Sequence, residues 1–136
     1  MKIFLDTSAL IAYYNADDKY HAQAVEVMEE IKRGEIPFSR FYVTDYVFDE
    51  TVTFVECILK NHELALSLGD ALQTSPLTTI IRIDEDTFNE SWERFKQYKG
   101  FSFTDCASLQ AVKRHNIDSV LTFDEHFRKV SPKTIP

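Results

Sequence analysis

Hydrophobic positions along the chain alternate between short runs and helical stripes. Lys2-Ile3-Phe4-Leu5 is an apolar run that halts at Asp6, too short for a helix and suited to a strand buried on both faces. Phe41-Tyr42-Val43, ending at Thr44, predicts a second strand. Thr79-Ile80-Ile81-Arg82-Ile83, rich in β-branched residues, predicts a third. Ser119-Val120-Leu121-Thr122-Phe123 predicts a fourth, and Lys133-Thr134-Ile135 a short last one.

Between these runs the apolar period becomes helical. Thr7 to Tyr14 predicts one or two turns opened by Thr7 or Ser8, and Asn15-Ala16-Asp17-Asp18 is a polar break. Ala24, Val25, Met28 and Ile31 mark a helix from His21 to Arg33, stopped by Gly34. Further helices are expected from Tyr46 to Lys60, from beyond Asn61-His62 to Leu72, from a cap at Asp84 to about Gly100, and from Asp105 to His115. Phe88, Trp92 and Phe95 fall at helical spacing and are expected in the core, with Asp84, Glu85 and Asp86 as cap and first-turn acids. Alternation of short apolar strands with helices predicts an α/β/α sandwich, a mainly parallel sheet of about five strands covered on both faces.

Composition narrows the class. The 136 residues are 44% hydrophobic with only 3 Gly and 4 Pro, which fits one globular domain over residues 1–136 and excludes linker-rich architecture. The net charge of −7 excludes a uniformly basic protein that coats nucleic acid. Cys57 and Cys106 cannot build a disulfide framework, and both are expected to be buried thiols. Neither a signal peptide nor a run long enough to cross a membrane is visible, so a soluble, cytoplasmic protein is expected.

Four acids stand out of place. In an open parallel sheet, ligands bind beyond the carboxyl ends of the strands. Asp6 ends the first strand, and Asp124 follows the fourth. Glu50 shares a helix face with Val47, Thr51, Phe54 and Ile58, whereas Asp49 lies with Asp45, Thr53, Glu56 and Lys60 on the polar face. Asp105 starts the stripe continued by Leu109 and Val112. Singly, each has an ordinary explanation: a cap for Asp6, a turn acid for Asp124, a buried partner of a basic side chain for Glu50, a first-turn acid for Asp105. Together, four acids converging on one sheet edge repel one another unless a hard cation such as Mg²⁺ or Mn²⁺ intervenes. The chemistry natural to such a set is attack of an activated water on a phosphodiester. His21, His62, His115 and His126 are scattered singly and form no zinc pattern.

The segments Phe4-Leu5-Asp6-Thr7-Ser8-Ala9-Leu10, Glu50, Phe103-Thr104-Asp105-Cys106-Ala107-Ser108 and Leu121-Thr122-Phe123-Asp124-Glu125-His126-Phe127, in this order, resemble the PIN-domain ribonucleases. The small size resembles the VapC-type toxins of toxin–antitoxin pairs. The resemblance covers essentially the whole chain. It implies a sheet with the first strand central and Mg²⁺- or Mn²⁺-dependent cleavage of single-stranded RNA. Asp6 and Asp105 become the principal metal ligands, and Glu50 and Asp124 the remaining acids. It also implies a homodimer and a small antitoxin protein as partner. Thr7, Ser8 and Thr122 are candidate phosphate or RNA contacts.

A haloacid-dehalogenase-type phosphatase also places an acid after its first strand, but it wants a second acid at position 8, where this chain has Ser8. The other rival is a non-catalytic binding module of the same fold, whose sign is missing acids. Residues 113–136 carry Lys113, Arg114, Arg128, Lys129 and Lys133 against Asp118, Asp124 and Glu125, a local excess of basic charge. Arg128 and Lys129 are therefore candidate RNA contacts. Tyr13, Tyr14 and Tyr20 are candidates for base stacking, for a dimer interface or for plain helix packing.

Overall fold

The computed structural model describes residues 1–130 and 133–136. Its elements run β1 (Lys2–Leu5), α1 (Thr7–Tyr14), α2 (His21–Lys32), β2 (Arg40–Thr44), α3 (Asp45–Cys57), α4 (His62–Thr74), β3 (Thr78–Ile81), α5 (Glu85–Gln97), α6 (Phe103–Arg114), β4 (Ser119–Leu121), α7 (Glu125–Val130) and β5 (Thr134–Ile135). All strand pairs are parallel, and the sheet order is β3-β2-β1-β4-β5. Helices flank this five-stranded sheet, giving the expected α/β/α architecture with β1 at its centre.

The central position explains the composition of β1. Ile3 and Phe4 point to opposite faces and both are fully buried, as a middle strand between two helical layers requires. At the edge, β3 is only partly buried through Thr78, Thr79 and Ile80. The strand order reverses direction around β1, which pairs with β2 on one side and β4 on the other. Leu5 is registered against Leu121, so Asp6 and Thr122 emerge side by side. That register places the first and fourth strand ends together although 116 residues separate Asp6 from Thr122.

Helix boundaries follow local chemistry. Thr44 caps α3 through Oγ1 and the Val47 N–H, Asn61 caps α4, and Asp84 caps α5 through the Thr87 N–H. Past α2, Gly34 takes φ 77°, a left-handed conformation that ends the helix without a Cβ clash.

Several burial expectations are corrected. On α3 the buried stripe is Val47, Thr51 and Val55, while Ile58 is 65% exposed beyond the helix. Cys57 is exposed, and only Cys106 is a buried thiol. Phe88, Trp92 and Phe95 lie outside the core, with Trp92 49% exposed. The inner stripe of α5 is instead small and polar: Thr87 and Ser91 are buried, and Arg94 Nε reaches Gln110 Oε1 on α6 at 2.8 Å. Among the described residues, no helix is long and apolar enough to cross a membrane.

Candidate active site

Asp6 occupies the N-cap position of α1, yet its carboxylate makes no cap bond there. It faces β4 instead. Oδ2 accepts from Ser8 Oγ and from Thr122 Oγ1, each at 2.9 Å. Each hydroxyl has one proton, so both are committed to Asp6, and the two oxygens stand 3.2 Å apart. Their lone pairs are used in turn: Ser8 Oγ accepts from the Phe123 N–H, and Thr122 Oγ1 from the Asp124 N–H, both at 3.0 Å. The network locks the loop after β4 onto the start of α1.

Asp6 is 4% exposed. Burial, reinforced by the charge of Asp105, pushes its pKa up to about 6, against the hydrogen bonds from Ser8, Thr122 and the Thr7 backbone, which favour the ionised form. Asp105 sits in the first turn of α6. Its Oδ2 accepts from the Ser102 N–H at 3.1 Å, while Ser102 Oγ accepts from the Asp105 N–H at 3.0 Å, a reciprocal capping box. Burial raises the Asp105 pKa, and so does the nearby charge of Asp124; the Ser102 hydrogen bonds and His126 act the other way. Asp124 precedes α7, and its Oδ1 meets both the backbone N–H and the Nδ1 of His126 at 2.9 Å.

Asp6, Asp105 and Asp124 thus form a chain of mutually repelling carboxylates. Glu50 is half-buried on α3, and among the described residues it makes no hydrogen bond or ion pair; no arginine clasps it. The acids do not close into a cage: among the described residues no three His, Cys, Asp or Glu side chains are near enough to hold one ion together.

A family model for the PIN domain matches residues 3–132. The chain belongs to the PIN domain family. This PIN domain is 27% identical over 131 residues to a VapC ribonuclease of Archaeoglobus fulgidus, a match spanning 93% of the chain and 80% of that protein. Its fold is similar to that of Mycobacterium tuberculosis VapC20, a sarcin-ricin-loop-cleaving toxin, with a TM-score of 0.83 at 23% identity over 95% of both chains. A toxin–antitoxin complex from Klebsiella pneumoniae is similar at a TM-score of 0.67 and 16% identity, over 98% of this PIN domain and 96% of that chain.

The donor set of this PIN domain fits a hard dication. Carboxylates that are buried and pushed toward protonation regain their charge when a cation stands beside them. The Oγ1 of Thr7 is buried without a hydrogen-bond partner, an orphaned polar atom next to Asp6. Mg²⁺ is commonly held by one or two carboxylates with water completing its shell, so an open pair suits it and a closed cage is unnecessary.

Two participants escaped sequence reasoning. Ser102 was legible in principle, since Ser102-Phe103-Thr104-Asp105 spells a capping box. His126 had no sequence signal, because its contact with Asp124 depends on the turn into α7. Among the basic candidates, Arg114 is tied to Glu90 at 2.8 Å and lies 3.9 Å from Asp84, which removes it from the RNA-facing set. Arg128 and Lys129 are exposed on α7, just after Asp124. Tyr20 stacks on Phe123 with ring centres 4.9 Å apart and Tyr13 packs edge-on against Tyr14, contacts of the packing kind.

Proposed function

We propose that this PIN domain is a metal-dependent endoribonuclease that cleaves single-stranded RNA, and that it is the toxin of a cytoplasmic toxin–antitoxin pair. The observation that carries the reading is Asp6, a buried carboxylate held at a strand end by Ser8 and Thr122 and facing the charge of Asp105. The resemblance to VapC proteins supports the substrate class, and to toxin–antitoxin complexes the partners: a small antitoxin protein and a second copy of the chain. Family membership sets aside the phosphatase alternative, and the presence of all four acids disfavours a non-catalytic module.

Asp6 and Asp105 would hold Mg²⁺ or Mn²⁺ directly, with Glu50 and Asp124 acting through its water shell. When bound, the ion supplies Lewis acidity toward water and phosphate oxygens. The protein's own residues do the rest. Ser8 and Thr122 fix one oxygen of Asp6 and leave the carboxylate a single orientation. The Ser102–Asp105 box fixes the second carboxylate against the helix end. Asp124, through His126, tethers the approach to α7 and its exposed Arg128 and Lys129, which are placed to meet phosphates.

The test is cleavage of single-stranded RNA by purified protein in Mg²⁺, in Mn²⁺ and in EDTA. Activity is expected only with metal. Asp6→Asn and Asp105→Asn, which keep size and remove charge, are each expected to lower the rate by about 10² or more. Parent-like cleavage by both variants would refute the assignment.

A further inference from the structure

The outward face of α5 takes no part in the carboxylate site, and it is unusual. Phe88, Trp92, Phe95 and Tyr98 are all exposed, the least of them by 37%. They do not stand singly. Trp92 and Phe95 stack with an interplanar angle of 14° and ring centres 5.4 Å apart, and Phe88 meets Phe103 at 5.0 Å. Tyr98 meets Phe101 at 5.9 Å across the turn at Gly100, whose φ of 87° folds the chain back. The band then runs into the acidic site. Phe103 lies in the same turn as Asp105, and Phe101 packs edge-on against His126, which is bound to Asp124.

From these observations we propose that the band is a base-stacking platform, seating the single-stranded RNA beside the scissile phosphate. The inference rests on the ribonuclease reading and adds binding residues to it. Three features favour RNA over another occupant. The band is built from flat rings, and every base offers a π face to such a surface. Charge is complementary at the end nearest the site: over residues 88–103, Glu90 is paired with Arg114 and Arg94 turns inward to Gln110, leaving Lys96 and Lys99 against Glu93, in a chain of −7. Lys99 is exposed, with no ion partner among the described residues, and Lys96 meets only Glu93 in an exposed pair. The platform is also continuous with the carboxylates, so a strand lying on it extends directly into the site.

Trp92 is the one tryptophan in the chain, so intrinsic emission reports on this band. The full-length protein, in EDTA so that RNA stays intact, is titrated with a single-stranded uridine oligonucleotide of about ten residues, within the usual span of such sites. Saturable quenching is expected, whereas an abasic oligonucleotide of equal length is expected to bind without it. Trp92→Ala/Phe95→Ala, followed by anisotropy of labelled oligonucleotide, is expected to weaken binding about ten-fold or more. Its salt dependence should stay that of the parent, because the phosphate contacts remain. In Mg²⁺, the same variant is expected to raise KM with kcat little changed.

Equal quenching by the abasic oligonucleotide, or unchanged affinity in the double variant, would overturn the proposal. So would a concentration-dependent change in emission without RNA, joined to a shift from two copies to one in sedimentation of the variant; that pair assigns the band to a contact between copies. Quenching without cleavage in Mg²⁺ keeps the platform and removes the nuclease reading. Cleavage without quenching does the reverse.

Discussion

Asp6 carries the tension of the molecule in a single side chain. Its surroundings supply two hydroxyl donors to one oxygen, yet burial prevails and holds its pKa near 6 rather than 3.8. With a folded pKa above the unfolded one, the native state binds the extra proton between those values. The contribution of Asp6 to stability is therefore full below about pH 4 and is lost as pH rises through 6, by about 3 kcal/mol for a two-unit shift. The metal-free protein should be the weaker for it at neutral pH. Asp6→Asn, with no charge to bury, is expected to unfold at higher urea than the parent at pH 7.5 in EDTA, and the gap should close near pH 4. Adding Mg²⁺ should stabilise the parent and leave the variant unmoved. A gap independent of pH would show that burial of this charge is not what strains the site. At this scale the sequence was informative about Asp6, because an acid that stops a buried strand has few ordinary places to go. It was less informative about Glu50, whose position on a helix face does not reveal what stands opposite.

Elements were easier to locate than to orient. Strand positions and most helix limits follow from run length, caps and breaks, since these are local properties of the chain. Facing is not local. On α3, Phe54 and Ile58 extend the apolar period of Val47 and Thr51, but the helix ends at Cys57, leaving Ile58 outside and Val55 within. On α5 the larger error has a clear cause. Three aromatic rings make the more hydrophobic stripe, yet α5 lies against α6 through Thr87 and Ser91, whose small side chains allow close approach. Ser91 Oγ satisfies itself on the Thr87 carbonyl at 2.6 Å, so the polar stripe buries no unmet donor. The same lesson applies to α6. Asp105 reads as a first-turn acid and as a ligand, and its capping box shows that one carboxylate can hold the helix end with one oxygen while lying beside Asp6 and Asp124. Ser102→Ala removes the acceptor for the Asp105 N–H and is expected to cost about 1 kcal/mol of stability, recovered in Ser102→Thr. Urea unfolding of the two variants checks this, and a Ser102→Ala protein as stable as the parent would show that the cap contributes through its backbone alone.

Over the whole molecule, topology converts distant acids into neighbours. Placing β1 between β2 and β4 brings the ends of the first and fourth strands together, and ligand sites in such sheets lie where the order reverses. Nothing local in the sequence specifies that order; it follows from burying the most apolar strands in the middle. The cost is electrostatic. A chain of −7 that gathers carboxylates at one edge repels a polyanion until cations and basic side chains intervene. With Arg114 committed to Glu90, the exposed Arg128 and Lys129 on α7 are the basic pair nearest in sequence to Asp124. If they meet phosphates, replacing both with glutamine should lower the slope of log affinity against log salt by about 1.4, the value for two contacts on a single strand. Trp92 quenching by RNA at a series of salt concentrations measures that slope in protein whose aromatic band is intact. A slope unchanged by the double substitution would mean that α7 faces solvent and that the strand approaches the carboxylates from the α5 side alone.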